Sequence, residues 1–103
     1  MVPVGRMFHL KSYSWYVPDE IDRWGEEPLY QQLAAILRAQ IEDGTYQPGG
    51  RLPSEVACMQ RYHLARNTIR QALKVLRDQG YIQTRGQRGS RVLPRSEWHP
   101  GEH

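Results

Sequence analysis

A mostly α-helical fold with one small β-hairpin is what this sequence predicts, on three observations. Two long runs between residues 28 and 79 repeat apolar residues at helical spacing, and a shorter helical run lies between them. Beyond them, two short β-favouring stretches, Tyr81-Ile82-Gln83-Thr84-Arg85 and Ser90-Arg91-Val92-Leu93, flank Gly86-Gln87-Arg88-Gly89, which is the pattern of a hairpin. With 103 residues, 39% apolar and 24% charged, the chain has the size and balance of one small globular domain with an adequate core.

Residues 1–27 are the least regular. Met7 to Val17 (MFHLKSYSWYV) is rich in aromatic and β-favouring residues, while Pro3, Gly5, Pro18 and Gly25 punctuate it. A strand, a packed arm and a flexible leader all fit this pattern. Trp15, Tyr16 and Trp24 are costly to leave in water, which favours partial docking on the domain or on a second subunit. Stacking of these rings on single-stranded nucleic acid is the weaker reading, because only Arg6 and Lys11 lie nearby to hold a backbone.

Pro28 suits the first position of a helix, and Glu26 and Glu27 suit its positive end. Leu29, Leu33, Ile36, Leu37 and Ile41 continue one apolar stripe to Glu42-Asp43, and Gly44 stops it. Gln47-Pro48-Gly49-Gly50 reads as a turn and Arg51-Leu52 as a very short strand. Ser54 is a good N-cap for a second helix from Glu55 to about Tyr62, with Glu55 complementing the helix dipole. A tight turn at His63-Leu64 leads to a third helix, residues 65–79, in which Ile69, Ala72, Leu73 and Leu76 form the apolar stripe. Arg66, Asn67, Arg70, Lys74 and Arg77 fall mostly outside that stripe, and Gly80 ends the helix. In the hairpin that follows, Ile82 and Val92 face the helices and the tip exposes Arg88. Residues 94–103 read as a flexible tail.

The net charge of +3 is unevenly spread. Residues 51–93 carry nine Lys/Arg against two Asp/Glu, a net +7, whereas residues 1–50 carry a net −3. Such a concentration suggests a polyanionic partner. The third helix, one face apolar and another bearing Arg, Asn and Thr at an exposed N-terminus, is equipped for phosphates and base edges. A hairpin beside such a helix is the wing of a winged helix-turn-helix.

Catalysis finds little support. Ser54 has no sequence-readable base partner, His9, His63, His99 and His103 show no ligand spacing, and no glycine-rich phosphate loop follows a strand. No metal site and no cofactor is expected. Cys58 lacks a Cys partner and basic neighbours, so it reads as a small buried apolar residue. A single cysteine argues for a reducing compartment. No apolar run approaches the roughly 20 residues that span a bilayer, and no signal-peptide core is present. The expected location is the cytoplasm, away from membranes.

Four fragments carry a family resemblance: Pro28-Leu29-Tyr30-Gln31-Gln32-Leu33, Gly44-Thr45-Tyr46-Gln47-Pro48-Gly49, Leu52-Pro53-Ser54-Glu55 and Arg66-Asn67-Thr68-Ile69-Arg70-Gln71-Ala72-Leu73. In this order and spacing, residues 28–93 resemble a GntR-family DNA-binding domain. The resemblance implies a bacterial transcriptional regulator, usually a repressor, that binds a palindromic double-stranded operator as a homodimer. It implies helix 65–79 in the major groove and wing 81–93 at the minor groove. Arg66 and Arg70 match the recognition-helix arginines, Thr68 the hydroxyl between them, and Asn67 a variable position that often touches DNA. Gln87, Arg88 and Gly89 fall on the wing tip. Arg51, Lys74 and Arg85 are expected as phosphate contacts or solvated cations.

Four departures stand out. Val56 occupies a position where the family commonly has a DNA-contacting arginine, and Ala65 one where Ser or Thr usually caps the recognition helix. The wing has Gln87 where a glycine is usual. Ten residues after the wing leave no room for an effector-binding or oligomerisation domain, which makes the aromatic N-terminal segment the candidate dimer interface. Two other functions fit the same fold: a DNA-architectural or recombination accessory factor, and a winged helix used for protein–protein interaction.

Overall fold

The computed structural model describes residues 20–101. The aromatic stretch 7–17, with the expectations placed on Trp15 and Tyr16, lies outside the described residues. Three helices, α1 (Leu29–Glu42), α2 (Glu55–Tyr62) and α3 (Arg66–Asp78), precede strands β1 (Ile82–Thr84) and β2 (Ser90–Val92). The strands pair antiparallel with Ile82 opposite Val92, Gln83 opposite Arg91 and Thr84 opposite Ser90.

The apolar stripes read from the sequence are the core. Leu33, Ile36, Leu37 and Ile41 of α1 meet Ile69, Ala72, Leu73 and Leu76 of α3, and all are buried. Cys58 and Tyr62 of α2 close one side, while Tyr81, Ile82 and Val92 close the other. Period-2 alternation places Ile82 and Val92 inward and Gln83 and Arg91 outward. Residues 49–52 add a third edge to the hairpin. The Gly49 amide donates to the Val92 carbonyl at 2.9 Å, the Leu52 amide donates to the Ser90 carbonyl at 3.0 Å, and Arg51 bridges Arg91 antiparallel. The short strand expected at Arg51-Leu52 is thus a single bridge residue.

Helix ends follow local chemistry. The Ser54 hydroxyl accepts from the Ala57 amide at 3.0 Å, as an N-cap should. Pro28 sits one position earlier than expected, at the N-cap of α1 with extended ψ 147°, and no side chain caps it. The Gln32 amide group instead ties the preceding chain down, donating to the Asp22 and Glu27 carbonyls and accepting from the Asp22 amide at 2.7 Å. Ala65 caps α3 in extended conformation (φ −68°, ψ 154°) with no side-chain bond. This is the geometry a Ser or Thr cap uses. Ala65→Ser is therefore expected to stabilise the domain by about 0.5–2 kcal/mol, read from urea midpoints at constant m-value.

Two expectations need correction. Trp24 does not dock on the domain: it is 96% exposed, held out on a turn in which the Asp22 carboxylate accepts the Trp24 amide. Residues 94–100 are not a free tail. The Trp98 ring stacks on Tyr81 with centroids 5.1 Å apart, and its indole N–H donates to the Leu93 carbonyl at 2.9 Å. The Arg95 guanidinium covers the other part of that ring at 4.7 Å. The His99 amide donates to the Gln79 carbonyl, and the Gln79 side chain donates to the Pro100 carbonyl. Burial of two large rings outweighs the tail's freedom. Gly80, at φ +76°, lies beneath this segment, and a Cβ there would come within 2.0 Å of the Glu97 carbonyl oxygen.

Candidate nucleic-acid interface

The turn between α2 and α3 fixes how α3 is presented. His63 adopts a left-handed conformation (φ 56°, ψ 48°), and its amide bonds back to the Met59 carbonyl, an arrangement that usually falls to Gly or Asn. Leu64 then buries under the helices. The Arg23 guanidinium donates to the Tyr62 and His63 carbonyls at 2.8 and 2.6 Å, satisfying the C-terminal end of α2. Nothing in the irregular sequence before Pro28 marks Arg23 for this work.

On the outer side of α3, Arg66 and Arg70 are exposed, their side chains at 48% and 59%. They are not tucked inward. Both lean on Glu55: Arg66 reaches one carboxylate oxygen at 2.8 Å and the Arg70 Nε–H donates to the other at 3.0 Å. The sequence marked Glu55 only as a dipole partner, yet it holds two guanidinium groups side by side. The Arg70 hydrogen bond, aided by that of Arg66 and opposed by partial burial, holds the Glu55 carboxyl below its ordinary value of 4.5. A depressed folded-state value means that this bracket stabilises above the ordinary carboxylate range and is lost as pH falls through the folded midpoint. Carboxyl NMR titration is expected to place Glu55 below 4.5 and to show the midpoint rising in Arg70→Ala.

Asn67 is exposed and Thr68 half-buried at the start of α3. Lys74 pairs with Asp78 at 2.8 Å, a surface i,i+4 contact of little energy. Arg77 donates to the Thr84 hydroxyl at 3.2 Å, and Thr84 shares a 2.8 Å bond with Ser90, so α3 and the wing are braced together. Between them lies a cleft of about 660 Å³, with Glu55, Val56, Arg70, Arg77, Gln87 and Gly89 among its walls. Val56, 49% exposed, stands in that wall with no charge to offer.

The wing tip resolves the question raised by Gln87. Residues 86–88 form one 3-10 turn closed by the Arg88 amide on the Arg85 carbonyl at 2.8 Å and the Arg85 amide on the Gly89 carbonyl at 3.0 Å. The two positive-φ positions, +50° and +80°, fall on Gly86 and Gly89, so position 87 has no need of glycine. Arg85, Gln87 and Arg88 stand exposed. Arg51 lies on the opposite side of the hairpin from the cleft, beside Arg85, Arg88 and Arg91.

Among the described residues no group of three or more His, Cys, Asp or Glu is placed to hold a metal ion, and no helix is long and apolar enough to cross a membrane. Cys58 is buried, and burial pushes its thiol up, away from the reactive thiolate form.

A helix pair with a short turn, a first helix bracing the second member, and a hairpin beside that member's exposed face define a winged helix-turn-helix domain. This chain belongs to the gntR family of bacterial regulatory proteins, whose sequence profile matches residues 29–92. It is 37% identical over 71 residues to the Exu regulon transcriptional regulator of Escherichia coli K12, covering 69% of this chain and 28% of that protein. It is 40% identical over 60 residues to the mannosyl-D-glycerate transport/metabolism system repressor MngR of the same organism, covering 58% of this chain and 25% of that one. The chain thus spans about a quarter of each relative's length. Among solved structures, YtrA of Sulfolobus acidocaldarius, a GntR-family transcription factor, superposes with a TM-score of 0.67 at 28% identity over 73% of this chain and 79% of YtrA. The DNA-binding domain of AraR in complex with operator ORX1 superposes at 0.64 with 28% identity, over 70% and 86% of the two chains.

Proposed function

We propose that this domain reads double-stranded DNA for a transcriptional regulator, usually to repress, with α3 in the major groove and the wing at the minor groove. One observation carries the reading: a cationic helix face and a glycine-flanked hairpin tip stand exposed on the two rims of one cleft. The 13 residues of α3 make a rod about 20 Å long, and the major groove is about 12 Å wide, enough to admit a helix. Arg66 and Arg70 meet base edges or phosphates, with guanine the natural partner of a forked guanidinium. Asn67 and Thr68 bond bases or phosphates at the helix start. Arg88 enters the minor groove with Gln87 and Gly89 beside it, and Arg51, Lys74 and Arg85 take phosphates. The domain works in the bacterial cytoplasm, and its operation is binding rather than catalysis.

One winged helix selects a genomic site weakly, and pairing two half-sites corrects this, so a homodimer on a palindrome follows. Trp24, almost wholly exposed, is the described residue that most favours a contact with a second copy. Selecting bound duplexes from a random library is expected to return an inverted repeat. Recovery without sequence enrichment would transfer the domain to the architectural reading, and no recovery at all would favour the protein-interaction reading. Removing residues 1–24 is expected to convert a sedimenting dimer into a monomer; a truncated chain that still sediments as a dimer would dismiss that segment as the interface.

A further inference from the structure

Most cations of the basic segment already have partners. Arg66 and Arg70 lie on Glu55, Lys74 on Asp78, Arg77 on Thr84, and Arg61 over the Tyr62 ring. The remaining four, Arg51, Arg85, Arg88 and Arg91, gather on the outer face of the hairpin. No carboxylate among the described residues lies within ion-pair distance of any of them. They line a concavity of about 200 Å³ with Gln83 and Gly89. The backbone forces this crowding: Arg51 bridges Arg91 directly, and Gln83 is the cross-strand neighbour of Arg91 on its other side. Like charges set opposite each other across a sheet repel. Four guanidinium groups with no carboxylate among the described residues beside them therefore form a surface suited to an anion supplied from outside.

The position of this face says which anion. Gly89 belongs to both concavities, the cleft shared with α3 and the outer pocket, so the hairpin tip separates them. A wing seated in the minor groove, about 6 Å wide, has one phosphate strand on each side. The strand nearer α3 runs through the cleft, and the strand beyond the wing must pass the outer face. We infer that Arg51 and Arg91, with Arg85 and Arg88 at the tip and Gln83 between the strands, form a second phosphate clamp. It grips the DNA backbone on the far side of the minor groove. This rests on the DNA-reading function proposed above and adds to it a contact outside the half-site that α3 covers. The clamp carries affinity and register, not base preference.

The test compares the wild type, Arg51→Gln/Arg91→Gln and Arg70→Ala on a library-selected duplex and on a random duplex over a salt series. The double variant is expected to lose about two units from the slope of log affinity against log salt. The loss should be equal on both duplexes, with the preference between them retained and the melting temperature unchanged or raised. Trimming the duplex on the wing side should weaken the wild type and leave the double variant unaffected. An unchanged slope in the double variant, with Arg70→Ala losing selectivity, would overturn the clamp and leave the function standing. A wild type that binds neither duplex would overturn both. A fall in melting temperature with an unchanged slope would reduce Arg51 and Arg91 to structural residues.

Discussion

Arg70→Ala is expected to weaken operator binding by about tenfold to a hundredfold and to relax preference at one or two base pairs, because a bidentate guanidinium contact supplies about 1–3 kcal/mol of discrimination. The effect has a second source in this domain. Arg70 makes one of the two bonds that hold Glu55, and without it an under-compensated carboxylate is left at the mouth of the cleft. Arg70→Lys separates the parts: the charge remains, so the salt slope should largely recover. The forked donor set is lost, so base preference should not recover. Fluorescence anisotropy on selected and scrambled duplexes measures both. Should affinity and slope stay at wild-type values in Arg70→Ala, this residue leaves the interface and the orientation of α3 must be redrawn.

Tyr81→Ala is expected to destabilise the domain by about 3–5 kcal/mol, the range for emptying a buried aromatic site, against a total that for small domains is about 5–15 kcal/mol. Tyr81 is fully buried between the helices and Trp98, and its hydroxyl donates to the Glu42 carboxylate at the end of α1. Tyr81→Phe keeps the ring and its stacking and loses the hydroxyl bond, so about 1 kcal/mol is expected there. Urea unfolding followed by circular dichroism reads both variants. Equal losses in the two would mean that the hydroxyl, not the ring, holds this corner.

Most of the fold was legible because its signals are local and periodic. Ile69, Ala72, Leu73 and Leu76 announce a buried helical face, Ser54 announces a cap, and the alternation of Ser90, Arg91 and Val92 announces which side of a strand is wet. The exposed arginines of α3 were legible for the same reason: they are what remains when the stripe is removed. What stayed hidden depends on residues distant in sequence. Arg23 meets the end of α2 across 40 positions, and Trp98 finds Tyr81 across the whole hairpin with no periodic pattern around Trp98. Glu55 looked like a dipole complement because sequence places it 11 and 15 residues from the guanidinium groups it joins. Arg91 had an available signal, an outward strand position opposite Arg51's short run, but that register becomes visible only once Arg51 is known to pair there.

Gly80 faces two unrelated demands, a positive φ and the Glu97 carbonyl directly overhead. Asparagine tolerates the first and violates the second, since any L side chain collides with the overlying oxygen. Position 80 therefore works as a steric sensor of the closing segment: Asn becomes tolerable there only in a molecule whose turn at Arg95–Glu97 has lifted from the end of α3.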